Sequence, residues 1–328
     1  MKISVLVPTY RRPQELGRCL KALKHQTRPA DEIVVVIRDI DLETWSFFEK
    51  FDAAPLSLQL LNITLSGQVA ALNAGLAKVG GDIIAITDDD AVPRPHWLEQ
   101  IEAHFAEDAQ VGGVGGRDWV YAGERLEDGI KDLVGCIQWF GRVVGNHHLG
   151  AGEPREVDLL KGANMSYRRA AIANLRFDER LRGTGAQVYN DMAFSVAVKR
   201  AGWKLIYDPK VEVDHKAAER FDEDGRNQYS DIATINLVHN ETLVLLEYLS
   251  FVQRYFFLIW AIVIGTRPAP GFLQALRLLP DEGKIVVRRL AASLRGRWLG
   301  WHTWQKSLAL SSQPPANQSW IDREVKQR

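Results

Sequence analysis

Cysteine is scarce in this chain. Its two thiols, Cys19 and Cys136, stand alone among 328 residues and form no CxxC pair, which excludes a disulfide scaffold or a cysteine metal cluster and fits a reducing compartment, both thiols reading as small core residues. An excess of charge of one sign is also missing. Lys plus Arg and Asp plus Glu each number 41, so no global basic field exists to attract nucleic acid, and a charged ligand must be handled locally. Long apolar runs are absent too. The uncharged stretch from Tyr255 to Gly265 is much shorter than the roughly 20 residues a membrane-spanning helix needs, and Glu247, Gln253 and Arg254 interrupt any longer reading. At the start, the run closed by Pro8 is too short for a signal-peptide core and reads as a first strand. No dinucleotide loop is present: Gly112-Gly113-Val114-Gly115-Gly116 meets Asp118 where GxGxxG requires glycine, and it does not follow the first strand.

With 46% hydrophobic and 25% charged residues, the chain is an ordinary globular protein. Apolar runs at Ile3–Val7, Ile33–Ile37, Leu58–Ile63 and Asp82–Thr87 alternate with helical periodicities through Leu16/Cys19/Leu20/Leu23, Val69/Leu72/Leu76 and Leu98/Ile101/Phe105. Pro13 and Pro95 sit where helices open, and Ser66 is a plausible N-cap. Val111–Tyr121 reads as a further strand. A helix is expected from near Asn190 to Gly202, and then strands at Leu205–Tyr207 and Val211–Val213. Such alternation implies an α/β fold with a mostly parallel central sheet, whose ligands bind beyond the carboxyl ends of the strands. Three polar clusters lie at such ends: Thr9–Arg12, Arg38–Asp41 and Asp88–Asp90.

Three consecutive carboxylates at the end of a buried strand repel one another unless a cation neutralises them. Oxygen ligands suit Mg²⁺ or Mn²⁺, which bridge carboxylates to phosphates, although such a triplet can also be a solvated turn.

The sequence resembles the nucleotide-sugar-dependent glycosyltransferases of family two, which have the GT-A fold. The resemblance rests on Val5-Leu6-Val7-Pro8-Thr9-Tyr10-Arg11-Arg12, Asp39, Gly67-Gln68 with Asn73, Asp88-Asp89-Asp90, Pro95-His96-Trp97-Leu98, Gly162-Ala163-Asn164-Met165, Phe177-Asp178-Glu179, Asn190-Asp191, Gly202-Trp203 and Asp214-His215. It covers residues 1–215. It implies a donor-binding half at 1–115 and an acceptor-binding and catalytic half at 116–215; beyond it, the residue pattern itself gives a helical extension at 216–310 and a disordered tail at 311–328. Pro8, Thr9, Tyr10 and Arg11 would line the nucleotide pocket, Asp39 would accept from the base, commonly uracil, or else cap its loop, and Gln68 and Asn73 would shape the donor pocket or simply cap or pack their helix. Asp88 would contact the ribose, with Asp89 a less certain participant, and Asp90 would hold the metal with His215. Asp191 would be the general base that deprotonates an acceptor hydroxyl, giving inversion at the anomeric carbon. Asn190 stands where many relatives have Glu, so the surroundings of that base differ. Arg220 and Arg226 would clamp the diphosphate or are solvated charges.

Behind residue 216 a helical stretch from Gln228 to Gly265 is expected, and Trp298, Trp301 and Trp304 fall at helical spacing among Arg288, Arg289, Arg295 and Arg297. That combination suits a membrane interface, with contact through 239–304 at the inner face of the cytoplasmic membrane, or else a helical hairpin packed on the main domain. The acceptor would be a lipid-linked or polysaccharide glycan. Polyprenyl phosphate, and a non-catalytic nucleotide-sugar scaffold, are the alternatives. A sugar-nucleotide pyrophosphorylase is disfavoured because Pro8–Pro13 lacks glycine.

Overall fold

A computed structural model describes residues 1–123, 125–221, 223 and 229–311. The first part runs β1 (Ile3–Thr9), α1 (Pro13–Lys24), β2 (Glu32–Arg38), α2 (Leu42–Phe48), β3 (Leu58–Ile63), α3 (Gln68–Lys78), β4 (Ile83–Ile86), β5 (Ala91–Pro93), α4 (Trp97–Glu107) and β6 (Val111–Ala122). Four short strands follow, β7 (Arg125–Leu126), β8 (Cys136–Ile137), β9 (Val143–Val144) and β10 (Arg155–Glu156), then β11 (Met165–Arg168), α5 (Arg169–Ile172), α6 (Asn190–Arg200) and β12 (Lys204–Lys216). Helices α7 (Asp231–Tyr248), α8 (Phe251–Val263), α9 (Phe272–Glu282) and α10 (Lys284–Ser311) complete the chain.

The main sheet has the order β10-β12-β6-β11-β4-β1-β2-β3, with β5 on β12 and β7 on β6. Pairs β1–β2, β2–β3, β1–β4 and β6–β12 are parallel, and β11 is antiparallel to β4 and β6. Strand β1 is buried along its whole length because both its faces are covered. Ile3, Val5 and Val7 meet the layer containing Leu16, Leu20, Trp97 and Ile101, whereas Leu6 meets Val69, Leu72 and Phe194 on the other side.

Several boundaries differ from the sequence reading. The cap of α3 is Gly67 rather than Ser66, at φ 101°, a conformation glycine reaches without a Cβ clash. Helix α4 starts at Trp97, not Pro95. The two strands expected at Leu205–Tyr207 and Val211–Val213 are one, β12, whose register on β6 shifts between Asp208 and Glu212. The glycine stretch of β6 is a packing device: a Cβ on Gly116 would lie 1.9 Å from Val211 O. Cys19 is buried and Cys136 half-buried, both as free thiols.

The expected helix from Gln228 to Gly265 is two helices, broken at Leu249–Ser250, where Ser250 and Gln253 form a capping box. Gln228 itself, Arg226 and residues 312–328, including nearly all of the tail expected to be disordered, lie outside the described residues. Trp301 and Trp304 pack against the core, so only Trp298 of that trio is exposed. Arg297 is buried too, 2.6 Å from Glu241. No described helix is long and apolar enough to cross a membrane.

Candidate active site

Parallel pairing of β1 and β4 sets their carboxyl ends side by side. Thr9 therefore reaches the turn after β4, and its hydroxyl donates to Asp89 Oδ2 at 2.7 Å. That turn holds the Asp triplet between β4 and β5. Because β5 pairs antiparallel with β12, His215 lies opposite Ala91, which brings its Nε2 to 3.3 Å from Asp90 Oδ1.

Arg12, the residue before α1, places Nη1 2.9 Å from Asp89 Oδ1 and 3.1 Å from Asp90 Oδ2. The backbone N–H of Ala218 donates to Asp90 at 2.9 Å. Behind His215 sits Asp118, fully buried, whose Oδ2 is 3.8 Å from His215 Nδ1 and 2.6 Å from Lys161 Nζ. Thus a row of alternating charges runs from Lys161 through Asp118, His215 and Asp90 to Arg12.

Charge and burial set the protonation. Burial pushes the Asp89 carboxyl up to about 7 against the pull of Arg12, with Asp90 adding to the rise. Burial and Asp90 likewise raise Asp88. Burial also opposes ionisation of Asp90, but His215 and Arg12 outweigh it and hold the group well below the usual range. Asp118 is held low in the same way by Lys161 and His215 against its burial. His215 is raised to about 9, since Asp118 and Asp90 overcome its burial.

These residues fit a divalent cation. Ligand atoms of Asp88, Asp90 and His215 lie within 4.8 Å of one another, and both ring nitrogens of His215 are buried without a partner at hydrogen-bond geometry. Two carboxylates and one imidazole form a hard, oxygen-rich donor set suited to Mg²⁺ or Mn²⁺.

A cavity of about 210 Å³ opens over this cluster. Pro8, Thr9, Tyr10, Gln68, Asp88, Asp89 and Asp90 all line it, as sequence reasoning expected, and so do Arg12, Arg38, Arg220 and Phe221. The Arg38 guanidinium lies 5.1 Å over the Tyr10 ring and Phe221 meets that ring edge-on at 6.4 Å. The amino end of α3 faces the same space through Gly67 and Gln68.

Four of the residues expected to bind the nucleotide-sugar or act as base lie outside the cavity lining. Arg11 does not line the cavity; its φ of 56° turns it away, with the guanidinium over Tyr10 and the N–H donating to Asp41. Arg12 takes the position beside the aspartates instead. Asn73 is a buried clamp, donating to Phe177 O at 3.0 Å and accepting from Phe177 N at 2.8 Å. Asp39 is exposed outside the cavity lining, and its carboxylate accepts from Ile40 N. Asp191 lies beyond the lining, in the first turn of α6, and accepts from Gly162 N–H at 3.1 Å.

Gln68 connects the two regions. Its amide donates to Asp88 Oδ1 at 3.1 Å and accepts from Asn190 Nδ2 at 3.4 Å. The Asn190 amide also donates to Ala186 O and Gln187 O, so a carboxylate there would face two carbonyls without a proton to give. Positive φ at Gln187 and Tyr189 marks this turn as held by its surroundings. His147 Nε2–H donates to Leu159 O within the core, as a structural histidine does. Sequence reasoning missed Asp118 and Lys161, and noted Arg12 and Arg38 only as members of polar clusters at strand ends. The Arg11-Arg12 doublet was a signal for Arg12, but nothing local marked Asp118 and Lys161 as neighbours.

A carboxylate cluster thus lies at the carboxyl edge of the sheet, beneath an open cavity. Residues 1–229 match the family model Glycosyltransferase like family 2, and the chain belongs to that glycosyltransferase family, with the GT-A fold. A 229-residue stretch is 25% identical to the glucosyl-dolichyl phosphate glucuronosyltransferase of Haloferax volcanii, covering 67% of this chain and 70% of that one. Among solved structures, TarS 1–349 of S. aureus in complex with UDP-GlcNAc is similar with a TM-score of 0.58 at 16% identity, covering 90% of this chain and 81% of that chain. The mannosyltransferase PcManGT of Pyrobaculum calidifontis, in complex with GDP-Man and Mn²⁺, gives 0.55 at 18% identity, covering 93% and 87%.

Proposed function

We propose that the protein is a metal-dependent inverting glycosyltransferase that moves a sugar from a nucleotide diphosphate donor, a UDP-sugar in the first instance, to a hydroxyl of a lipid-linked or polysaccharide acceptor. The observation that carries this reading is the convergence of Asp88, Asp90 and His215 within 4.8 Å under the cavity lined by Tyr10, Arg12 and Gln68. Residues 1–115 supply the donor half and residues 116–215 the acceptor half.

The base stacks against Tyr10 near Arg38, and the diphosphate lies toward the amino end of α3, whose N–H groups and dipole favour anions. Asp88, Asp90 and His215 would hold the divalent ion, which would supply Lewis-acid stabilisation of charge on a departing phosphate. Arg12 and Arg220 add positive charge on the same side. Asp191 accepts the proton of the attacking hydroxyl. Gly162 N–H fixes one of its oxygens, and Gln68 holds the donor cluster and the α6 turn in register. Attack opposite the leaving group inverts the anomeric centre.

The likeness to a relative named for glucosyl-dolichyl phosphate supports a lipid-linked acceptor. The exposed apolar helices α8 and α9 support peripheral attachment at the inner face of the cytoplasmic membrane. Activity on a polyprenyl phosphate surviving Asp191→Asn would replace the hydroxyl reading, because a phosphate acceptor is already ionised. A donor screen tests the whole: one nucleotide should stabilise the protein with Mn²⁺, and absence of binding under every metal condition would favour a scaffold.

A further inference from the structure

Helices α8 and α9 form a hairpin closed by a bridge between Gly265 and Pro270. Buried Phe257 and Ala261 anchor α8, whereas Val252, Tyr255, Phe256 and Ile259 are between 48% and 61% exposed. Their spacing of three and four residues sets them along one side of the helix. Phe272 and Leu276 of α9 are 55% and 67% exposed. The Trp139 ring, itself exposed, meets Phe256 at 5.0 Å, so the apolar face continues onto the 116–215 half. A contiguous face of this kind normally has something covering it.

Charge decides what covers it. From Phe251 to Ser311 the chain carries nine Lys and Arg against only Asp281 and Glu282, although the whole sequence is neutral. Glu282 is already occupied by Arg267 and Arg289. Arg277 of α9 and Lys284 and Arg295 of α10 are exposed, as is Arg267 in the connection between α8 and α9, even while it pairs with Glu282. A second copy docking the same face on itself would oppose like charges. An anionic surface would instead meet aromatic and aliphatic side chains flanked by cations.

We propose that the α8–α9 hairpin is a monotopic anchor for bilayers containing anionic lipid. The helices lie in the headgroup plane with Phe256, Ile259 and Leu276 among the upper acyl chains, and Arg267 and Arg277 among lipid phosphates. This deepens the lipid-acceptor reading given above, but it is tested without turnover.

The full chain is floated with vesicles of phosphatidylcholine alone and of phosphatidylcholine mixed with phosphatidylglycerol, at low and high salt. Wild type should bind the anionic vesicles on the order of tenfold more tightly than the neutral ones, and high salt should weaken that preference. Ile259→Glu with Leu276→Glu should abolish flotation. Arg267→Glu with Arg277→Glu should remove the preference for anionic lipid. Each variant should keep the wild-type melting temperature, since the altered side chains are exposed. Failure of folded wild type to float with either vesicle overturns the proposal, and so does flotation of the Ile259→Glu/Leu276→Glu protein like wild type. Light scattering without lipid gives a third outcome: a wild-type dimer that these substitutions dissociate makes the face a self-interface and overturns the anchor. Nucleotide-induced thermal shifts are read on the same preparations, so vesicle binding without nucleotide binding would sink the transferase mechanism while leaving the anchor standing.

Discussion

The Gln68 side chain donates to Asp88 across 3.1 Å, tying the first turn of one helix to the carboxylate cluster of another element. Its carbonyl faces Asn190, next to Asp191. One amide therefore links the carboxylate cluster to the residue beside Asp191.

Asp191→Asn preserves an oxygen for Gly162 N–H but removes the proposed base. Transfer to a hydroxyl acceptor should fall by about 10²–10⁴-fold, while the nucleotide-induced thermal shift stays at the wild-type value. Steady-state kinetics alongside melting curves separate the two effects.

Asn190→Asp is expected to destabilise the fold by about 1–3 kcal/mol. It removes the donor that satisfies Ala186 O and Gln187 O and adds a buried carboxylate facing them. Denaturant unfolding measures this, and a variant as stable as wild type would show that the turn tolerates a carboxylate.

The helical extension is an integral part of the structure. Arg297 and Glu241 are 4% and 5% exposed and joined at 2.6 Å, and Tyr189 of the α6 turn donates to the same carboxylate. Arg297→Leu should cost about 3–5 kcal/mol by leaving Glu241 buried without its partner. Arg297→Leu with Glu241→Leu should recover much of that loss, as chemical denaturation of the three proteins would show.

A pH effect is expected at Asp208. Burial would raise its carboxyl, but hydrogen bonds from His104 and Lys210 N–H hold it below its ordinary value of 3.8. A depressed folded-state value contributes stability that is fully present above the unfolded value and lost as pH falls through the folded one. Melting temperatures of wild type and Asp208→Asn should therefore differ near neutral pH and converge as the solution is taken below about pH 4.

Much of this architecture could be read from the chain because its signals are local. Strands β1, β2 and β4 are short, largely apolar runs buried on both faces, and the Asp triplet follows β4 directly. The errors have physical causes. A positive φ at Arg11 exchanged its expected place with that of Arg12, which no residue pattern announces. Asn73 faces Phe177, far along the chain, so its clamp depends on tertiary packing. The irregularity at Asp208–Glu212 made one strand read as two. Trp301 and Trp304 looked interfacial by periodicity, but α7 and the core claim that side of α10. Asp118 and Lys161 meet only because β6 and the loop before β11 converge.

The central claim is that Asp88, Asp90 and His215 hold a divalent ion against a nucleotide diphosphate. Its most direct test is thermal shift of wild type and Asp90→Ala with UDP-, GDP- and dTDP-sugars, with and without Mn²⁺. The account predicts that one nucleotide raises the wild-type melting temperature only when Mn²⁺ is present, and that Asp90→Ala loses this response. Equal stabilisation of both proteins, or stabilisation indifferent to the metal, would contradict it.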